Sequence, residues 1–116
     1  MQKIEKWRVK ELSLVLNQVV EVLRKGSHRE WAAVFTHFHS ESQKIFQAET
    51  FDLDELKKLV RSIRSCLSES TSLFQLELQH ENPREKTIIN QEFSLFKSDL
   101  FSILEDLESR LVEFLS

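Results

Sequence analysis

Glycine and proline are almost missing from this chain: Gly26 and Pro83 are the only ones in 116 residues. A β-sandwich or barrel of this length needs many tight turns, and turns draw on these residues for positive or fixed φ. One of each leaves room for a few long elements joined by short connections, which favours helices. The same scarcity excludes a Gly-rich phosphate loop, so neither a P-loop nor a Rossmann turn can be built. Cysteine is as rare. Cys66 stands alone, which excludes an internal disulfide and points to a reducing, cytoplasmic setting. Long apolar runs are missing too. No stretch approaches the roughly 18 uninterrupted apolar residues of a membrane span. The segment Met1 to Trp7 interleaves charge with apolar residues and does not form the apolar core of a leader.

What is present fits a folded helical domain. Hydrophobic residues make up 41% and charged residues 30%, and nine Phe with two Trp supply bulk for a core, so disorder is not expected. Leu, Glu, Lys, Gln and Arg, which lose little on entering a helix, are plentiful. The length suits one domain. The net charge of −3 argues mildly against nucleic acid as a partner.

Periodicity and capping divide residues 1–116 into four helices, at about 3–25, 28–47, 53–67 and 84–115, with a connector at 68–82. Ile4, Trp7, Leu12, Val15, Leu16, Val19 and Leu23 recur every three or four residues in the first. Arg24 and Lys25 suit its negative end, and Gly26 is placed to stop it in the left-handed conformation. Ser27-His28-Arg29-Glu30 reads as a capping box opening the second helix, whose buried side is expected to hold Trp31, Val34, Phe35, Phe38, Ile45 and Phe46. Asp52 to Glu55 repeats the capping pattern before Leu56, Leu59, Val60, Ile63 and Leu67. Phe74, Leu76 and Leu78 alternate with polar residues in the connector, which is expected to be extended or loosely helical with its apolar side down. Asn82-Pro83-Arg84-Glu85 opens the last helix with Pro at its first position, Asn90 being a second possible start. Its main stripe is Ile89, Phe93, Phe96, Leu100, Ile103, Leu107, Leu111 and Phe114, and Phe101, Val112 and Leu115 widen the apolar arc. The expectation is an all-α, four-helix bundle-like domain with a long C-terminal helix.

Each chemically suggestive group has a plain structural explanation. His37 and His39 point about 200° apart on a helix and cannot close on one ion. Neither they nor His28 and His80 have the spacing of helical zinc ligands, so no metal is expected. Cys66 lies near a helix C-terminus, where the dipole disfavours a thiolate, and reads as a small buried hydrophobe. No catalytic constellation is recognisable, and no cofactor is expected. Lys57, Lys58, Arg61 and Arg64 make a basic stripe, with Lys3, Lys6, Arg8 and Lys10 crowding the first helix. Nucleic-acid binding needs such patches. However, acids precede the bases along the third helix, and that order already complements the helix dipole.

An acidic pattern stands out more. Glu85, Glu92, Asp99, Asp106 and Glu113 fall every seven residues and form one gently winding stripe, since such a repeat drifts by about 20° per heptad. Glu105 and Glu108 add charge around Phe101 and Val112. This is either the polar flank of a long helix or a docking face for a basic protein partner, formed by Glu92, Asp99, Glu105, Asp106, Glu108 and Glu113 with Phe101 and Val112 as apolar anchors.

Three segments carry a resemblance. Arg29-Glu30-Trp31-Ala32-Ala33-Val34-Phe35, then Ile63-Arg64-Ser65-Cys66-Leu67 leading into Ser72-Leu73-Phe74-Gln75-Leu76-Glu77-Leu78, then Asn90 to Leu104 together resemble a family of small all-helical bacterial domains of uncharacterised function. The likeness rests on packing and capping residues and covers most of the chain, though the connector lacks that pattern's glycines. The resemblance implies no activity. Domains of this build are similar to immunity proteins that neutralise toxins of interbacterial competition. The leading expectation is therefore a non-enzymatic immunity or antitoxin-like binder that occludes a basic toxin domain. A homo-oligomeric helical adaptor or regulator comes next, and a nucleic-acid-binding protein after that.

Overall fold

The computed structural model describes residues 4–67 and 76–115, with side chains through Leu111. It contains four helices, α1 (Lys6–Lys25), α2 (Arg29–Gln47), α3 (Leu53–Cys66) and α4 (Pro83–Leu115), and no strand among the described residues. Helix packs on helix in a closed ring, α1 on α2, α2 on α3, α3 on α4 and α4 back on α1, and among the described residues the backbones of diagonal helices do not approach closely. The bundle measures 49 × 27 × 19 Å.

The most deeply packed helix is α1, not the long α4. Val9, Val15, Val19, Val20 and Val22 are all buried along it beside Leu12, Leu16 and Leu23. Such a run of β-branched residues is a mediocre helix former in isolation. Burial against α2 on one side and α4 on the other holds it helical. Its stripe is correspondingly wider than the expected one, and it starts later. Trp7 is 46% exposed, where periodicity placed it inside. The helix begins only at Lys6, so Trp7 sits in a first turn overhanging the core, its indole N–H donating to Glu5 and its ring covered by the Arg8 guanidinium at 4.2 Å. Ile4, just before the helix, is buried as expected. All five apolar residues expected on α3 are buried. On α4 Ile89, Phe93, Leu100, Leu107 and Leu111 are buried as expected and are joined by Leu104, with Phe96 and Ile103 partly covered. Phe114 and Leu115 lie outside the described side chains.

The caps follow the sequence at two starts and depart from it at one. The Asp52 carboxylate accepts the Glu55 N–H at 3.2 Å. Asn82 accepts from Arg84 at 2.9 Å and Glu85 at 3.2 Å, with Pro83 as the first residue of α4. At the α1–α2 corner the expected roles shift by one residue. Gly26 has φ −84°, and Ser27 takes the left-handed conformation at φ 58°. The Ser27 N–H donates to Arg24 O at 3.0 Å and the His28 N–H to Leu23 O at 2.9 Å, which is the Schellman pattern with Ser27 in the place glycine usually holds. The cap of α2 is then His28, whose Nδ1 accepts the Trp31 N–H at 3.5 Å. The capping box anticipated for Ser27 and Glu30 does not form.

Close packing explains the glycine. A Cβ on Gly26 would lie 2.8 Å from the Cβ of Leu78, and Leu78 itself is buried. Leu78 belongs to the extended stretch 76–80 that leads into α4. Asn90 holds it there: its carbonyl accepts the Leu78 N–H at 2.8 Å, and its amide donates to Leu78 O at 2.9 Å and to Lys86 O at 2.8 Å. Asn90 therefore supplies the pairing that a neighbouring strand would have given, and α4 runs unbroken through it. Of the connector expected at 68–82, residues 68–75, including Phe74, lie outside the described residues.

Candidate functional site

Helices α1 and α4 run antiparallel, because Lys25 at the end of α1 meets Glu92 near the start of α4 at 3.9 Å, and Arg8 at the start of α1 meets Asp106 far along α4 at 2.5 Å. The acidic stripe of α4 lies along this seam. Its members differ in what answers them. Glu92 has Lys25. Asp106 is held between Arg8 and Arg110, the latter at 3.2 Å. Glu108 faces α3, where Arg64 reaches it at 2.7 Å and 3.5 Å through two guanidinium nitrogens. Asp99 and Glu105 are exposed and form no ion pair among the described residues. Glu85 is exposed in the first turn of α4, where a carboxylate suits the positive helix end. Val112 and Glu113 lie outside the described side chains.

Phe101, expected as an apolar anchor, is half-buried against the core, and the Arg64 guanidinium sits over its ring at 4.5 Å from the centroid. Arg64 thus spans Phe101 and Glu108 in a single arrangement, docking α3 on α4. That contact also removes Arg64 from the basic stripe of α3, in which Lys58 pairs with Glu55 at 3.7 Å. On α1, Lys6 reaches the Ala48 carbonyl at 3.4 Å and Arg8 is committed to Asp106. Neither basic stripe forms an unbroken row of unengaged cations.

In the middle of the α1/α4 seam lies a groove of about 420 Å³ lined by Glu11, Leu14, Gln18, Asp99, Ser102 and Ile103 over Val15. Leu14 is 58% exposed there. Glu11, like Asp99, has no ion-pair partner among the described residues, and no cation lines the groove. Among the described residues, the exposed large apolar side chains, Trp7, Leu14, Ile88 and Leu95, all belong to α1 and α4. Glu11, Leu14 and Gln18 were not among the residues singled out from sequence. The available signal was Leu14 itself, a leucine off the three-and-four stripe of its helix.

Cys66 is half-buried at the end of α3, and burial pushes its thiol pKa up, which works against a thiolate. Lys97 lies over the Phe93 ring at 4.3 Å, and burial lowers its ammonium pKa. His37 is exposed and His39 half-buried on α2. No group of three or more His, Cys, Asp or Glu among the described residues is arranged to hold a metal ion. No helix among them is long and apolar enough to cross a membrane. Compared with protein-family models, curated proteins and solved structures, the chain matches none.

Proposed function

We propose that this chain is a non-enzymatic protein-binding module of the immunity or antitoxin type, working in the bacterial cytoplasm, whose α1/α4 groove receives a basic, apolar-tipped segment of a toxin partner. The observation that carries this reading is one juxtaposition: Glu11 and Asp99, neither neutralised from within the molecule, line the same groove as exposed Leu14. An exposed leucine offers apolar area to an inserted side chain. Two unanswered carboxylates beside it favour a lysine or arginine next to that side chain and speed encounter with a positively charged surface. The docking face expected from sequence is thereby moved and narrowed. Asp99 stays at its centre, while Glu92, Asp106 and Glu108 are already engaged within the fold.

The test is to identify the gene next to this chain's own and, where it encodes a toxin-like protein, to measure neutralisation of that protein, with binding followed by calorimetry. A neighbour of any other kind counts against the immunity reading. Wild type is expected to protect cells and to bind. Glu11→Lys with Asp99→Lys is expected to weaken binding by about 100-fold or more and to leave thermal stability within about 0.5 kcal/mol, as surface changes do. Undiminished binding by the double variant would dismiss the groove, and failure of wild type to protect would dismiss the immunity reading.

A second reading, a homo-oligomeric adaptor, is favoured by the confinement of Trp7, Leu14, Ile88 and Leu95 to α1 and α4, since a two-fold axis on that face could bury them together. Light scattering distinguishes the two: a dimer that Leu14→Asp and Leu95→Asp convert to monomer supports self-association, and a monomer at all concentrations dismisses it.

A further inference from the structure

A second groove, of about 580 Å³, lies at the α1–α2 corner and is lined by Arg24, Ser27, His28 and Arg29 around Ala32 and Ala33. All of its formally charged side chains are cationic. Arg8, Arg64 and Arg110 each hold a carboxylate, but Arg24 and Arg29 form no ion pair among the described residues. Glu30 follows Arg29 directly and reaches neither of them. Arg29 also occupies the first position of α2, the positive end of that helix, where a cation is disfavoured. In a chain of net charge −3, two guanidiniums therefore share one concavity without a counter-charge. An anion would relieve this.

The donor set narrows the kind of anion. Each guanidinium offers a planar fork that matches oxyanions two bonds at a time. His28 Nδ1 accepts the Trp31 N–H, so the neutral ring carries its proton on Nε2 and is a further donor. Ser27 adds a hydroxyl beside it. These are more donors than the two oxygens of a carboxylate use, and they suit the three terminal oxygens of a phosphate ester. Ala32 and Ala33 contribute only methyl groups, leaving apolar room beside the cations for the organic part of such an ester.

We propose that the α1–α2 corner binds a phosphate monoester dianion, through Arg24 and Arg29 with His28 and Ser27 as supporting donors. This site is separate from the α1/α4 groove and stands or falls independently of it. Backbone amide shifts during titration with phenyl phosphate, inorganic phosphate and acetate provide the test. Phenyl phosphate is expected to give saturable shifts confined to residues 24–33. Inorganic phosphate is expected to bind the same amides about tenfold more weakly, and acetate to give no saturable response. Stronger binding of inorganic phosphate than of phenyl phosphate would remove the alanine wall from the site and leave free phosphate as the ligand. Arg24→Gln with Arg29→Gln should lower phenyl phosphate affinity at least about tenfold at unchanged helical circular dichroism. Arg24→Lys with Arg29→Lys should fall between, because charge is kept and the fork is lost. Shifts that never saturate, that lie outside the corner, that persist in the glutamine variant or that acetate reproduces would each overturn the proposal.

Discussion

At one end of the α1/α4 seam Lys25 meets Glu92, Leu78 fills the notch left by Gly26, and Asn90 clips the Leu78 backbone in place. At the other end Asp106 is gripped by Arg8 and Arg110. Between them Glu11, Leu14, Gln18 and Asp99 stand along an open groove. Glu92 and Asp106 at the ends and Asp99 in the middle come from the same seven-residue repeat, and only their surroundings differ. A periodic row of carboxylates on a helix is thus no functional signal by itself. A carboxylate that the fold leaves without a cation, next to an apolar side chain the core leaves uncovered, is a better one.

The largest effect that would test this contrast belongs to the closed end. Leu78→Ala is expected to lower stability by about 2–5 kcal/mol, as for buried leucines generally, measured by urea denaturation. Gly26→Ala should be costly in wild type and much less so in a Leu78→Gly background, because the Leu78 Cβ, Cγ and Cδ2 that the new methyl would meet at 2.8–3.0 Å are then all gone. Equal costs in both backgrounds would show that something other than Leu78 requires the glycine.

Next is Asn90→Leu, which leaves the N–H and C=O of Leu78 without their partner. A loss of about 1–3 kcal/mol is expected, with faster amide exchange at Leu78. Unchanged exchange there would mean the connector is held by packing alone.

At the far end Arg8→Met removes a guanidinium whose side chain is only 16% exposed. Arg110 still answers Asp106, so about 1–2 kcal/mol is expected, discounted for the half-exposed carboxylate. Lys25→Met breaks a longer and more exposed pair and should cost no more than about 0.5 kcal/mol. If the two variants cost the same, the ends of the seam are not as different as their geometry says.

The smallest effect is the most telling about function. Gln18→Lys would put a cation into the groove that holds Asp99, adding the ion pair the middle lacks. Stability is expected to rise by at most about 0.5 kcal/mol, while partner binding falls as the carboxylate is occupied. A gain in stability with undiminished binding would separate Asp99 from recognition.

Most of the fold could be read from the chain because helices are written locally. Asp52, Asn82 and Pro83 act within one turn of their own position, so the starts of α3 and α4 were legible. The stripe Leu56, Leu59, Val60, Ile63 and Leu67 was legible too, because one face of α3 is buried and the 3.6-residue period marks it. Less of the candidate site could be read. Asp99 was picked out together with acids that proved to be engaged, and Glu11, Leu14 and Gln18 were passed over.

The sequence by itself therefore determined the number of helices, two of the three interhelical starts and the greater part of the core. Tertiary structure alone decided that α1 is the most deeply packed helix, that Gly26 makes room for Leu78 while Ser27 bears the positive φ, and that α4 continues through Asn90. It also decided which acids of the repeat are answered, since Arg8 and Asp106 are 98 residues apart in the chain and Lys25 and Glu92 are 67 apart. The physical reason is range. Caps and hydrophobic periodicity act over a few residues, whereas steric notches and ion pairs depend on which surfaces two distant helices bring together.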